Sequence, residues 1–312
     1  MPMKNQTTVT EFILLGLSSD PQMQIFLFLV FLVIYLISLS GNIVIMVVIR
    51  ADSHLHTPMY FFLFHLSFVD ICCSSVTVPN TLRNFLVVHK TISVNGCIAQ
   101  MFFVLLSSGA EILILSAMVY DRYAAICDPL RHMEIMSKGI CVQLVSGAWA
   151  ISFFHALLNT VFTFNLHFCG PNQISHFSCE LPPLLQLSCT DNLTNQVVLI
   201  TSVLIFASSA FLLTLISYIN IISTVLKIRS AEGRHKAFST CSSHLIVVGL
   251  FYTTGFLQYT KPRSVSSVVL DEIFSIEYSI LTPVLNPIIY SLKNKELKTA
   301  VGKMLGKFKF LK

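Results

Sequence analysis

Seven runs of apolar residues, each about long enough to cross the hydrocarbon core of a bilayer, leave this chain very few architectures. A spanning helix needs about 20 such residues. The runs cover roughly 25–49, 58–82, 98–127, 140–163, 197–226, 237–260 and 272–292. In lipid every backbone N–H and C=O must be satisfied internally, so runs of this length fold as helices. Composition agrees: 54% of the 312 residues are hydrophobic and 11% are charged, with mean hydropathy +0.75. A soluble domain needs a far larger charged surface. The chain is therefore expected to be an all-α membrane protein, a seven-transmembrane helix bundle forming one domain. Spans two, three, six and seven carry polar residues and are expected to face the bundle interior.

Orientation follows from the basic residues. Of 20 Lys and Arg, Arg50, Arg122, Arg131, Lys138, Lys227, Arg229, Arg234, Lys236 and the tail lysines fall on one side of the seven spans. Lys4, Arg83, Lys90, Lys261 and Arg263 fall on the other. The positive-inside bias makes the tail cytoplasmic and the N-terminus extracellular. The net charge of +5 comes from this asymmetry and requires no nucleic-acid surface. The expected layout is an extracellular N-terminus over 1–24, a membrane domain over 25–292 and a cytoplasmic tail over 293–312. The first 24 residues lack the pattern of a removable signal peptide. Asn5 begins an Asn-Gln-Thr glycosylation sequon on the extracellular side. In the tail, Leu297, Val301, Met304, Leu305 and Phe308 recur at helical spacing among lysines. That pattern predicts a short amphipathic helix on the anionic leaflet.

Four of the nine cysteines, Cys97, Cys169, Cys179 and Cys189, fall on the extracellular side, where three pairings are possible. Cys97 opens span three and the other three lie in the loop between spans four and five. At least one bridge should pin that loop across the bundle mouth. His176 and Cys179 invite a metal reading, but an oxidising compartment favours disulfides and the spacing lacks the paired pattern of zinc sites.

Charge inside lipid is costly and marks a pathway, a partner or a switch. Asp121 and Arg122 close span three just before the loop Asp128-Pro129-Leu130-Arg131, a position that suits a cytoplasmic latch better than an ion path. Asp70 lies 12 residues past Pro58 and Glu111 lies 10 before Asp121. By helical rise these offsets are about 18 Å and about 15 Å from the same face, so both carboxylates reach mid-depth; Asn286 sits about 12 Å in. Two close carboxylates repel, so a shared proton or a sodium ion between them is expected. A satisfied polar cluster with no titration in service is the alternative. Glu111 shares a helical face with Ser108 and Val104. Above it Val104, Leu105, Ser108 and Ile112, with Phe251, Tyr252, Gly255 and Tyr259 of span six, would line a cavity for a small, mostly apolar ligand. The same stripes also read as packing, and His155 as a hydrogen-bonded core residue.

Taken in order, several segments resemble the olfactory receptors, a family of rhodopsin-like G-protein-coupled receptors. They are Gly41-Asn42, Leu55-His56-Thr57-Pro58-Met59-Tyr60-Phe61-Phe62-Leu63, Asp121-Arg122-Tyr123, Lys236-Ala237-Phe238-Ser239-Thr240-Cys241-Ser242-Ser243-His244-Leu245 and Pro283-Val284-Leu285-Asn286-Pro287-Ile288-Ile289-Tyr290-Ser291-Leu292-Lys293-Asn294. The resemblance runs from about Phe12 to Asn294. It implies Cys97–Cys179 and Cys169–Cys189 bridges. It implies a volatile ligand among spans three, five, six and seven, where Ser202, Phe206, Ile276 and Ser279 join the residues above. It also implies that Arg122, held by Asp121 at rest, is released toward a stimulatory heterotrimeric G protein that raises cyclic AMP. Tyr123, Tyr218, Asn286, Pro287 and Tyr290 belong to that switch, with Tyr218 and Tyr290 supporting the open form.

The chain departs from the family at several positions. Val119, Asp128 and Arg131-His132 stand where Ala, Asn and His-Tyr are usual, altering the loop that faces the G protein. Glu277 replaces a common aromatic. Beside Ile276 it would meet a polar or basic odorant, or else be a rim carboxylate neutralised by Lys261 or Arg263. A transporter would show repeated halves and broken helices. An enzyme would show a nucleophile–base set or a clustered metal site. Neither pattern is present, and a ligand-binding receptor of the plasma membrane is the expected class.

Overall fold

The computed structural model describes residues 9–232, 234, 245–249, 253 and 268–310. The long helices are α1 (Pro21–Ala51), α2 (Pro58–Leu86), α3 (Val94–Cys127), α5 (Lys138–Phe164) and α7 (Leu193–Lys227). The short α4 (His132–Ile135) lies in the loop after α3, and α6 (Leu181–Gln186) in the loop after α5. The last span is α8 (Val268–Ile276), a five-residue π segment (Glu277–Leu281) and α9 (Thr282–Lys293), followed by α10 (Lys295–Phe310). Six described stretches are long and apolar enough to cross a membrane. Most of the remaining expected span, 237–260, lies outside the described residues.

Helix ends follow local chemistry. Asp20 caps α1 by accepting from the Gln22 N–H at 3.3 Å, with Pro21 at the first position, where a missing N–H costs nothing. This moves the start of α1 ahead of the apolar run, and Ser93 caps α3 in the same way. α3 is the central helix, packed against α2, α5 and α7. In the apolar windows of α3 and α2, 61% and 56% of residues are buried, against 28% in α1 and in α5. Helices carrying polar residues thus sit inward, while Ile25, Phe26 and Phe154 stay exposed on outer faces suited to lipid.

The end of the bundle where α1 begins holds a small sheet with no counterpart among the sequence expectations. β1 (Glu11–Leu14) lies between β2 (Thr91–Ser93) and β3 (Gln173–Ile174). It pairs antiparallel with β2, Phe12 opposite Ile92, and parallel with β3, Leu14 opposite Ile174. Phe12 and Leu14 point inward, and Phe12 meets Phe168 edge-on at 5.1 Å. Gly16, with φ of +70°, then turns the chain toward α1.

The tail forms a helix, as its apolar stripe predicts. Leu297 and Ala300 are buried in the bundle core, with Val301 and Met304 packed beside them. The first turns of the apolar stripe therefore rest on protein. The side chains of Leu305 and Phe308 lie outside the described residues.

Candidate functional site

Near the C-terminal end of α3, Asp121 is fully buried and its Oδ2 accepts from Arg122 Nη2 at 2.6 Å and Nε at 3.1 Å. Its Oδ1 is engaged by His132 Nε2, the first residue of α4, at 2.8 Å. Both faces of one carboxylate are thus occupied by cationic-type partners. Tyr123 stacks on Tyr120, while Tyr218 and Tyr290 are buried within electrostatic reach of each other. Tyr60 of α2 donates to Asn294 Oδ1 at 3.0 Å or Glu296 Oε2 at 2.8 Å, and Asn294 Oδ1 also accepts the Leu297 N–H. This clamps the turn between α9 and α10.

Midway through the bundle, Asn286 Nδ2 donates to both carboxylate oxygens of Asp70 at 3.1 Å. Glu111 is buried beside them, and neither its Oε1 nor Asn286 Oδ1 has a hydrogen-bond partner. The charges of Asp70 and Glu277 both reach Glu111. Glu277 accepts from Thr282 Oγ1 at 3.5 Å within the π segment. The Glu277 Oε2 atom is buried. Lys261 and Arg263 lie outside the described residues. α1 closes on this region: Asn42 Nδ2 and Ser38 Oγ both donate to the Pro283 carbonyl, at 2.9 Å and 3.1 Å. A Cβ on Gly41 would approach Pro287 to 3.2 Å.

Toward the end of the bundle that carries the sheet, Val104 and Ile112 are buried, and Leu105 packs on the cluster beneath the sheet. Ser108 Oγ donates to the Val104 carbonyl. Across α5 and α7, His155 Nε2 meets Ser202 Oγ at 3.1 Å and its ring lies 5.2 Å from that of Phe206. Ile276 packs with Phe31, Val78, Phe85 and Phe177, on the α1–α2 side. Ser279 is buried and donates to the Ser275 carbonyl at 2.6 Å. Cys97 is bonded to Cys179 and Cys169 to Cys189, with Cα separations of 5.3 Å and 5.8 Å. The first bridge consumes the thiol that a His176–Cys179 metal pair would need. Among the described residues no group of three or more His, Cys, Asp or Glu is arranged to hold a metal ion.

The sequence model of the olfactory receptors matches residues 31–308. Human olfactory receptor 8S1 is 51% identical over 298 residues, covering 96% of this chain and 82% of that one. Human olfactory receptor 5A1 is 50% identical over 98% of this chain and 97% of its own, and mouse olfactory receptor 5G9 is 47% identical over 99% of each. The chain belongs to the olfactory receptor family. It is accordingly a G-protein-coupled receptor and not an enzyme, and a multi-pass plasma-membrane protein.

In this olfactory receptor the structure brings together Asp121 with Arg122, Asp70 with Asn286 and Glu111, and Ser202 with Phe206 through His155. Phe251, Tyr252, Gly255, Tyr259 and Asn5 lie outside the described residues. Three contacts were not legible beforehand. Gln100 bridges α3 to the second loop and α2, accepting from the Cys179 N–H and donating to the Val76 carbonyl, each at 3.0 Å. Glu180 ties the same loop to the last span, accepting from Ser178 Oγ and Ser275 Oγ, with His176 Nε2 at 3.8 Å. His132 reaches Asp121. The signal for the last was a histidine 11 residues from the buried carboxylate, in a loop whose fold was unknown.

Proposed function

We propose that this receptor binds a small volatile organic ligand among α3, α5, α7, the last span and the span over 237–260, beneath the second extracellular loop. Val104, Leu105, Ser108, Ile112, Ser202, Phe206, Phe251, Tyr252, Gly255, Tyr259, Ile276 and Ser279 are the candidate contacts. Binding shifts a two-state bundle toward the form whose cytoplasmic side is open. Arg122 then leaves Asp121 and engages a stimulatory heterotrimeric G protein, which raises cyclic AMP. Tyr218, Asn286, Pro287 and Tyr290 carry the rearrangement. The N-terminus over 1–24 is extracellular and glycosylated at Asn5, residues 25–292 form the membrane domain, and the tail over 293–312 is cytoplasmic.

The observation that carries this reading is the buried ion pair of Asp121 and Arg122 at the end of the central helix, in a member of this family. A buried charge pair is held by its geometry and is broken only when something compensates each partner, which is what a latch requires. Around Asp70 the reading includes a proton shared with Glu111 or a sodium ion beside it. The buried, unpartnered oxygens of Glu111 and Asn286 fit either, because oxygen donors suit a hard cation.

The test is cyclic-AMP output from cells expressing the receptor, across a broad panel of volatile compounds, beside Arg122→Ala. A dose-dependent rise lost in Arg122→Ala is expected. A rise that survives the substitution would remove Arg122 from the switch. Silence of the wild-type receptor at confirmed surface expression across the whole panel would count against ligand-driven coupling through this G protein.

A further inference from the structure

The carboxylate of Asp121 has two partners, and only one of them belongs to the ion pair just described. Oδ2 faces Arg122; Oδ1 faces Nε2 of His132 at 2.8 Å. Asp121 is fully buried, while Arg122 and His132 retain side-chain exposures of 14% and 18%. His132 is also where α4 begins. Its carbonyl accepts the Met136 N–H at 2.8 Å, Met136 is buried in the bundle core, and Cys141 Sγ of α5 donates to the Met136 carbonyl. The second cytoplasmic loop is thus attached to α3 at two places, by Met136 through packing and by His132 through Asp121. Between and beside them Leu130 and Met133 are exposed, so the loop's free face hangs from the His132 contact.

We propose that His132 is a positioning residue of the cytoplasmic switch, holding the second loop on Asp121 and making the release of Arg122 depend on proton concentration. This rests on the G-protein reading above. Imidazole is the side chain whose charge changes within the physiological pH range. While neutral, His132 donates one hydrogen bond and leaves the full negative charge of Asp121 to Arg122. Once protonated, it forms a second ion pair with the same carboxylate. Two cations then share one anion and repel each other across it, so Arg122 is held less tightly while the loop is held more tightly.

The charged neighbours are few. Asp121 and Arg122 face His132 from α3, and the Cys141 thiol lies near Asp121 from α5. From α2, Tyr60 lies within electrostatic reach of Arg122 and is occupied by Asn294 and Glu296. On the loop itself, Arg131 pairs with Asp128 at 4.0 Å and Glu134 at 3.6 Å in an exposed cluster.

The test uses full-length receptor in detergent with the stimulatory G protein, reading agonist-independent nucleotide exchange at pH 6.0 and pH 7.5. His132→Tyr keeps a hydrogen-bond donor without an imidazole; His132→Phe keeps neither. The wild type is expected to gain several-fold in exchange at the lower pH relative to His132→Tyr, whose profile reports the G protein's own pH response. Matching profiles in wild type and His132→Tyr would overturn the proposal. A second measurement needs no G protein: thermal unfolding of the receptor alone across the same pH range. The wild-type Tm is expected to shift with pH relative to His132→Tyr, with His132→Phe lowest at both values. Equal Tm for all three would overturn the contact itself. If exchange is absent in every protein while the Tm pattern holds, the G-protein reading fails and the contact of His132 with Asp121 stands.

Discussion

The two ends of this bundle are closed by different kinds of bond. At the end that carries the sheet, proposed above to be extracellular, the loop between α5 and α7 is fastened by two disulfides, by backbone pairing of β1 with β2 and β3, and by Gln100 and Glu180. At the opposite end, proposed to be cytoplasmic, the central helix, the loop between α3 and α5 and Arg122 meet on one carboxylate, Asp121, without any covalent tie. A disulfide constrains every state of the chain, whereas an ion pair can be exchanged for another partner. The end proposed to meet the ligand is therefore built to keep its shape, and the end proposed to meet the G protein is built to change it.

Breaking the covalent side should cost most. The Cys97–Cys179 bridge closes 82 residues, and loop-closure entropy for that length amounts to about 4.5 kcal/mol. Cys97→Ser is expected to abolish surface expression, measured by flow cytometry on an N-terminal tag. On the cytoplasmic side, Asp121→Ala leaves a mostly buried guanidinium without its carboxylate, a loss of about 3 kcal/mol. Here the comparison predicts a split outcome: lower Tm with raised basal cyclic AMP. A fall in both would show that Asp121 only stabilises the bundle.

Gln100→Leu sharpens the comparison, because it leaves both disulfides intact while removing the acceptor for the Cys179 N–H. The expected loss is about 2 kcal/mol, read as a lower Tm with surface expression retained. The smallest effect belongs to Arg131→Ala, whose partners Asp128 and Glu134 are largely exposed. It should change stability by less than about 1 kcal/mol, a Tm shift near the limit of detection. A large shift would mean that the cytoplasmic loop is held by its surface charges as well as by Asp121.

Much of this was legible from residue order. The six described spans begin and end within a few residues of their apolar runs, and Asp70, Glu111 and Asn286 converge at mid-depth as helical rise required. The β-sheet was not legible. Glu11–Leu14 is too short to signal a strand, and its partners lie about 80 and 160 residues away in sequence. The π segment that opens at Glu277 has no mark in the sequence either. The amphipathic stripe of α10 was legible as a stripe, but the docking of Leu297 and Ala300 on the bundle was not.

Residue order alone determined that the chain crosses a membrane as a bundle of helices, because the transfer of apolar side chains into lipid adds up along a continuous segment. It also determined which side chains would be stranded there with charges to satisfy. Only the tertiary structure decided the partners that residue order had not named: Asn286 for both oxygens of Asp70, His132 for the second oxygen of Asp121 and, in the loop after α5, Ser275 for Glu180. Hydrogen bonds and ion pairs depend on distance and direction to within tenths of an ångström. Only packing sets those quantities between residues far apart in the chain.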